Sequence, residues 1–124
     1  MQTIATDQAP AAIGAYSQAI VHQGVVYASG QIALRPDGTW AGGSAAEQAH
    51  QVLTNMSAVL EASGSTLNHV LKATIFLEDM NDFATVNEVY ASFFSDHRPA
   101  RECVAAKGLP KGAAVEISCI AALA

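Results

Sequence analysis

The 124-residue chain predicts an α+β fold of a single domain spanning 1–124, with two helices packed on one face of a mixed sheet. Three observations predict it. Two amphipathic stripes at helical spacing alternate with runs rich in branched and aromatic residues. A pair of such runs, 16–32, is split by the two-residue loop of a hairpin. Each helical stripe also lies between two strand-like runs, the arrangement of a crossover between parallel strands.

Residues 16–22, "YSQAIVH", and 25–32, "VVYASGQI", are the hairpin strands, joined at Gln23-Gly24. Pro36-Asp37-Gly38 is a turn, a fixed φ followed by a permissive glycine. Ser44-Ala45-Ala46-Glu47 is a capping box, in which the Ser and Glu side chains satisfy each other's free amides. The helix it opens, 44–63, carries Ala45, Ala49, Val52, Leu53, Met56, Val59 and Leu60 on one stripe, and Gly64 stops it. Residues 69–78 form a third strand. Asn81-Asp82 opens a second helix, with Phe83, Val86, Tyr90, Phe93 and Phe94 on one face, and Pro99 ends it. Residues 101–106 and 113–122 are two last strands around the loop "KGLPKG". The predicted order is β-β-α-β-α-β-β.

Two helices cover one face of such a sheet. The last strand, "AAVEISCIAALA", is largely apolar on both sides, so the other face requires a cover that this chain does not supply. Charged residues are 14% of the chain and apolar residues 51%, again the profile of a surface partly hidden against copies of itself. Eleven acidic residues against six Lys and Arg give a net charge of −5, which argues against a nucleic-acid partner. No apolar run reaches bilayer-spanning length, so no membrane partner is expected. The N-terminus lacks the regions of a signal peptide, and Cys103 and Cys119 lack ligand spacing. A cytoplasmic protein with reduced thiols is the expectation.

The motifs of nucleotide binding, zinc peptidases and redox dithiols are absent, and the four histidines lie on separate elements, so no metal is expected. What remains is a set of polar residues inside apolar patterns. In "HRPARECV", Arg98 falls at a helix end, where a cation suits the dipole, and Arg101 shares a strand face with Cys103. Glu116 is the single charge between Ala113 and Ala124 and must be paired, protonated or useful. Asn87 interrupts the stripe of Phe83, Tyr90 and Phe94, and Tyr16, Ser29 and Gly30 sit at hairpin-strand ends. Pattern alone leaves alternatives open. Arg101 and Glu116 suit an ion pair as well as a site, Asn87 a cap or buried amide, and Tyr16 a core aromatic. Cys103 suits a small buried hydrophobe better than a nucleophile.

In order and spacing, "AIGAYSQAI", "YASGQI", "NDFATVNEVYASFF", "RPAREC" and "LPKGAAVEISCIA" resemble the Rid family of reactive-intermediate deaminases, also called the YjgF family, from about Ile4 to the C-terminus. The resemblance implies a homotrimer with a chorismate-mutase-like fold, clefts between subunits and no cofactor. It implies hydrolysis of 2-aminoacrylate or 2-iminobutyrate to a 2-keto acid and ammonia. Arg101 matches the family's carboxylate-binding arginine and Glu116 the acid that positions water. Tyr16, Ser29, Gly30, Asn87 and Cys103 match substrate-pocket positions. Two positions depart from the pattern: Ala15 stands where a proline often precedes the tyrosine, and Ser118 where many members carry a second glutamate. The rival expectations are a trimer that binds a small 2-keto or amino acid without turnover, a purely structural trimer, and a ribonuclease.

Overall fold

A computed structural model describes all 124 residues. Six strands and two helices follow one another as β1 (Gln2–Ile4), β2 (Ala19–His22), β3 (Val25–Gln31), α1 (Ala45–Ala62), β4 (Val70–Leu77), α2 (Phe83–Phe93), β5 (Ala100–Ala105) and β6 (Val115–Ala122). They form one mixed sheet in the order β1-β2-β3-β6-β4-β5, with both helices on one face. No helix is long and apolar enough to cross a membrane.

The sequence pattern omits β1. That strand is three residues long and pairs at the sheet edge, Gln2 opposite Val21 and Ile4 opposite Ala19, too short to show an alternation. The first hairpin strand also begins later than expected, at Ala19 rather than 16. Gln18 is 3% exposed and turns its amide into the N-terminal segment. Its Oε1 accepts from the Thr6 amide at 2.7 Å, and its Nε2 donates to the carbonyls of Thr6 (3.1 Å) and Pro10 (2.7 Å). A side chain tied to residues 6–10 holds residues 16–18 out of the ladder and makes a loop of them. Beyond them β2 and β3 close through Gln23 and Gly24, both at positive φ, the conformation a two-residue hairpin loop of matching twist demands.

The capping box forms as expected. The Glu47 amide donates to Ser44 Oγ at 3.2 Å, and the Ser44 amide to Glu47 Oε1 at 3.1 Å. The Ser44 amide holds the Glu47 carboxyl below its ordinary range. The second helix is shorter than expected: Asn81 and Asp82 lie in a preceding turn, and Phe94 leaves the helical region well before Pro99. Residues 94–99 run irregularly back to the sheet, and the His97 ring meets the Val70 carbonyl at 2.6 Å.

The crossover through α2 joins parallel neighbours, β4 and β5. The crossover through α1 does not, because β6 inserts between β3 and β4 and runs antiparallel to both. The most apolar strand thus takes the most protected place in the sheet. Its residues alternate strictly: Val115, Ile117, Cys119 and Ala121 are buried against the helices, and Glu116, Ser118, Ile120 and Ala122 face the other way. Val26, Val52, Leu53, Met56, Leu60, Ile75 and Leu77 complete the core between sheet and helices, each no more than 1% exposed. The open face carries Tyr27, Val104, Glu116 and Ile120, with Tyr27 still 49% exposed.

Candidate functional site

A bulge makes the first half of the site. Ala28 pairs with Cys119 and Gln31 with Ile117, so β3 spends one residue more than β6 between them, at Ser29-Gly30. The irregularity brings the Gly30 backbone against Glu116, where a Cβ would overlap the carboxylate. Only glycine leaves that room. Ser29 anchors the loop before β2, donating from Oγ to the Ser17 carbonyl at 2.6 Å and from its amide to the Gln18 carbonyl at 3.0 Å. Tyr16 stands beside these contacts at 53% exposure, so it is not the core aromatic that pattern alone allowed.

Around Glu116 lies a cavity of ≈ 460 Å³ with Tyr16, Ser29, Gln31 and Lys111 as its other polar residues. Pro10, Ile13, Ile32, Leu34 and Pro110 supply apolar wall. Glu116 is half-buried and has no hydrogen-bond or ion-pair partner, and burial raises its pKa above the ordinary 4.5. A carboxyl in such surroundings is poised to take up a proton. Lys111 was not singled out by its residue type. It lies at φ +56° in the turn Pro110–Gly112, a strained position for a non-glycine residue, and the quoted "LPKG" was the signal available in the sequence.

The second half lies at the far edge of the sheet. Arg101 on β5 extends over α2, donating from Nη1 to Asn87 Oδ1 at 2.6 Å. Its guanidinium carbon sits 4.8 Å from the Tyr90 ring centroid and 5.6 Å from that of Phe83. Positions 83, 87 and 90 fall on one helix face, so the polar Asn87 in that stripe is a partner for Arg101 rather than a helix cap. Arg98 is exposed, as its place after the helix suggested. Cys103 is half-buried beside Arg101; burial pushes its thiol pKa up, and the nearby guanidinium offsets part of that. Cys119 is buried with Sγ 3.4 Å from Met56 Sδ and its pKa is pushed up to about 12, which leaves it inert.

The seven residues singled out in the sequence therefore form two groups: Tyr16, Ser29, Gly30 and Glu116 in one, Asn87, Arg101 and Cys103 in the other. They lie on opposite faces of the sheet. Arg101 pairs with Ala73, which pairs in turn with the helix-side Cys119, whereas Glu116 belongs to the open face three residues away. Two strand spacings and that offset separate their α-carbons by about 14 Å. An ion pair between Arg101 and Glu116 of one chain is excluded, and the single ion pair present joins Lys72 to Glu102 at 3.3 Å. No three His, Cys, Asp or Glu side chains converge.

Comparison with known proteins places the chain among relatives along nearly its full length. A family model described as "Endoribonuclease L-PSP" matches residues 6–123. The 2-iminobutanoate/2-iminopropanoate deaminase of Rattus norvegicus is 46% identical over 121 residues, 97% of this chain and 88% of that protein. A RutC family protein of Synechocystis, slr0709, is 49% identical over 126 residues, 99% of this chain and 97% of that one. Among solved structures, E. coli TdcF with bound serine superposes with a TM-score of 0.94 at 39% identity, covering 100% of both chains. The extent of these matches and the motifs they run through show that the chain belongs to the Rid (YjgF) family, to which the L-PSP model corresponds.

Proposed function

We propose that this protein is a hydrolytic deaminase of small 2-imino acids and their enamine tautomers, 2-iminobutyrate and 2-aminoacrylate among them. Its clefts lie between the subunits of a homotrimer. The observation that carries the reading is the separation of the two half-sites. Arg101 is a guanidinium without a carboxylate partner on one face, and Glu116 a carboxyl that no cation pairs with on the other. Each half becomes a site when a neighbouring copy supplies the other. The half-exposed apolar residues of the open face, Tyr27 and Val104 among them, supply a reason for copies to associate. The relatives named as deaminases support the chemistry.

In this site the Arg101 fork grips the substrate carboxylate through parallel charge-assisted hydrogen bonds, which fixes the imine carbon beside it. Tyr16, Ser29 and the Gly30 backbone wall the cleft from the Glu116 side, and Cys103 and Asn87 from the Arg101 side. Glu116 takes a proton from water as the water oxygen bonds to the imine carbon, giving a carbinolamine. The proton held on Glu116 passes to the amine nitrogen. The C–N bond then breaks, ammonia leaves, and the hydroxyl proton returns to Glu116 as the 2-keto acid forms. A protonated imine is already an electrophile, and hydrolysis leaves its oxidation level unchanged, so the route asks for no cofactor. The net charge of −5 argues against an RNA substrate.

A second reading, ligand binding without turnover, has one observation in its favour: the E. coli relative holds serine. One experiment separates the two. 2-Iminobutyrate is generated in place by a threonine dehydratase, and release of 2-ketobutyrate is timed. Acceleration by this protein is expected, with a loss of about 100-fold or more in Glu116→Gln, which retains 2-ketobutyrate binding. No acceleration by the wild-type protein leaves only the binding reading.

A further inference from the structure

We infer that the ring faces of Tyr90 and Phe83 form a cradle that presents the Arg101 fork to an incoming carboxylate, which makes Tyr90 a positioning residue of the site. The inference rests on the carboxylate-clamp reading of Arg101.

A guanidinium has two kinds of surface. Its edge carries the five N–H donors that grip a carboxylate, and its flat faces carry none. The Arg101 guanidinium sits over the faces of two rings. Its carbon lies 4.8 Å from the Tyr90 centroid and 5.6 Å from that of Phe83, within the range of cation–π attraction. One edge donor is used, on Asn87 Oδ1 at 2.6 Å, and the others have no partner in the chain. All three holders are neutral. An acidic partner would occupy the fork and cancel the charge a substrate anion needs, whereas two rings and an amide oxygen do neither. The rest of the chain gives Arg101 little support, because its strand is the outermost of the sheet and its side chain is exposed.

The Tyr90 ring is suited to be a platform because it is itself fixed. It is 6% exposed and stacks on Phe94 with centroids 4.5 Å apart and planes 30° from parallel. Its hydroxyl is buried without a hydrogen-bond partner. What meets Arg101 is the face of the ring.

The test measures 2-ketobutyrate affinity by titration calorimetry and KM and kcat with 2-iminobutyrate generated in place. Tyr90→Leu is expected to weaken binding and raise KM by about fivefold, the upper scale of one lost cation–π contact at an exposed side chain, with a smaller change in kcat. Tyr90→Phe, which keeps the ring, is expected to restore affinity to within about twofold. In an Arg101→Ala background, Tyr90→Leu is expected to add no further loss. Phe83→Leu, at a half-buried position, is expected to give a smaller rise in KM, and it carries the test if Tyr90→Leu does not fold. Side-chain NMR supplies an independent signature: the Arg101 Hδ and Hε protons are shifted upfield by the rings in the wild-type protein. Unchanged affinity in Tyr90→Leu and Phe83→Leu, or an unshifted Arg101 in the wild type, overturns the cradle. Unchanged affinity in Arg101→Ala overturns the clamp reading beneath it.

Discussion

Glu116 carries a stability cost that its proposed task explains. Burial raises its pKa, so the folded chain binds this proton more tightly than the unfolded one does. Folding is then favoured at low pH, and the contribution is lost as pH rises from the ordinary value of 4.5 through the higher folded one. Glu116→Gln is therefore expected to melt above the wild-type protein at pH 7, with the gap closing as pH falls through the raised pKa to about 4.5. An arginine supplied by a neighbour pulls the same pKa down, so the gap is expected to widen in an Arg101→Ala background. Differential scanning calorimetry across pH reads both. Gly30 is the second residue on which the site turns. In Gly30→Ala the new methyl group takes the space of the Glu116 carboxylate. A fall in kcat on the order of 100-fold is expected with the fold intact, the scale of a 1 Å misplacement. Wild-type turnover in that variant refutes the close packing.

Among the elements, the loop before β2 shows how a segment without regular structure is held in place for function. Buried Gln18 ties residues 6–10 to the sheet, and Ser29 ties residue 17 to the bulge, so Tyr16 is carried between two anchors. Gln18→Ala removes the first anchor and leaves a hole. It is expected to cost about 1–3 kcal/mol in urea unfolding and to raise amide exchange at Thr6. Unchanged exchange at Thr6 means that the segment is held by other contacts. A glutamine at the start of a β-rich run reads as a strand residue, and this is why the sequence predicts a strand from 16 where the chain forms a loop. The elements with period and punctuation were legible: α1 with its capping box, the Gln23-Gly24 hairpin, and the last strand, expected at 113–122 and found at Val115–Ala122. Three-residue β1 offers no period to detect. The early end of α2 follows from the irregular path of residues 94–99, for which Pro99 was too distant a marker. The candidate residues were legible as polar interruptions of apolar patterns. Which of them meet was not, because alternation assigns faces within a strand, and only the insertion of β6 between β3 and β4 sets Arg101 and Glu116 on opposite sides.

For the molecule as a whole, the sheet is covered on one face, and the proposed trimer closes the other. Light scattering is expected to give about 38 kDa, three times the 12.8 kDa chain. A mass of one chain contradicts a cleft between subunits. The opposed placement of Arg101 and Glu116 has a further consequence, in the behaviour of mixtures. If every working site draws Arg101 from one copy and Glu116 from the next, two variants that are each inactive can rescue one another. Arg101→Ala chains still carry a sound Glu116 half, and Glu116→Gln chains a sound Arg101 half. Co-expressed in equal amounts, they are expected to regain about a quarter of wild-type activity, since one in four junctions around a ring pairs two intact halves. Activity no higher than the two variants give separately places both groups within a single subunit's reach and ends the shared-site reading. The unit on which catalysis acts is then the junction between chains, and a lesion in either half is recessive to a partner that retains it.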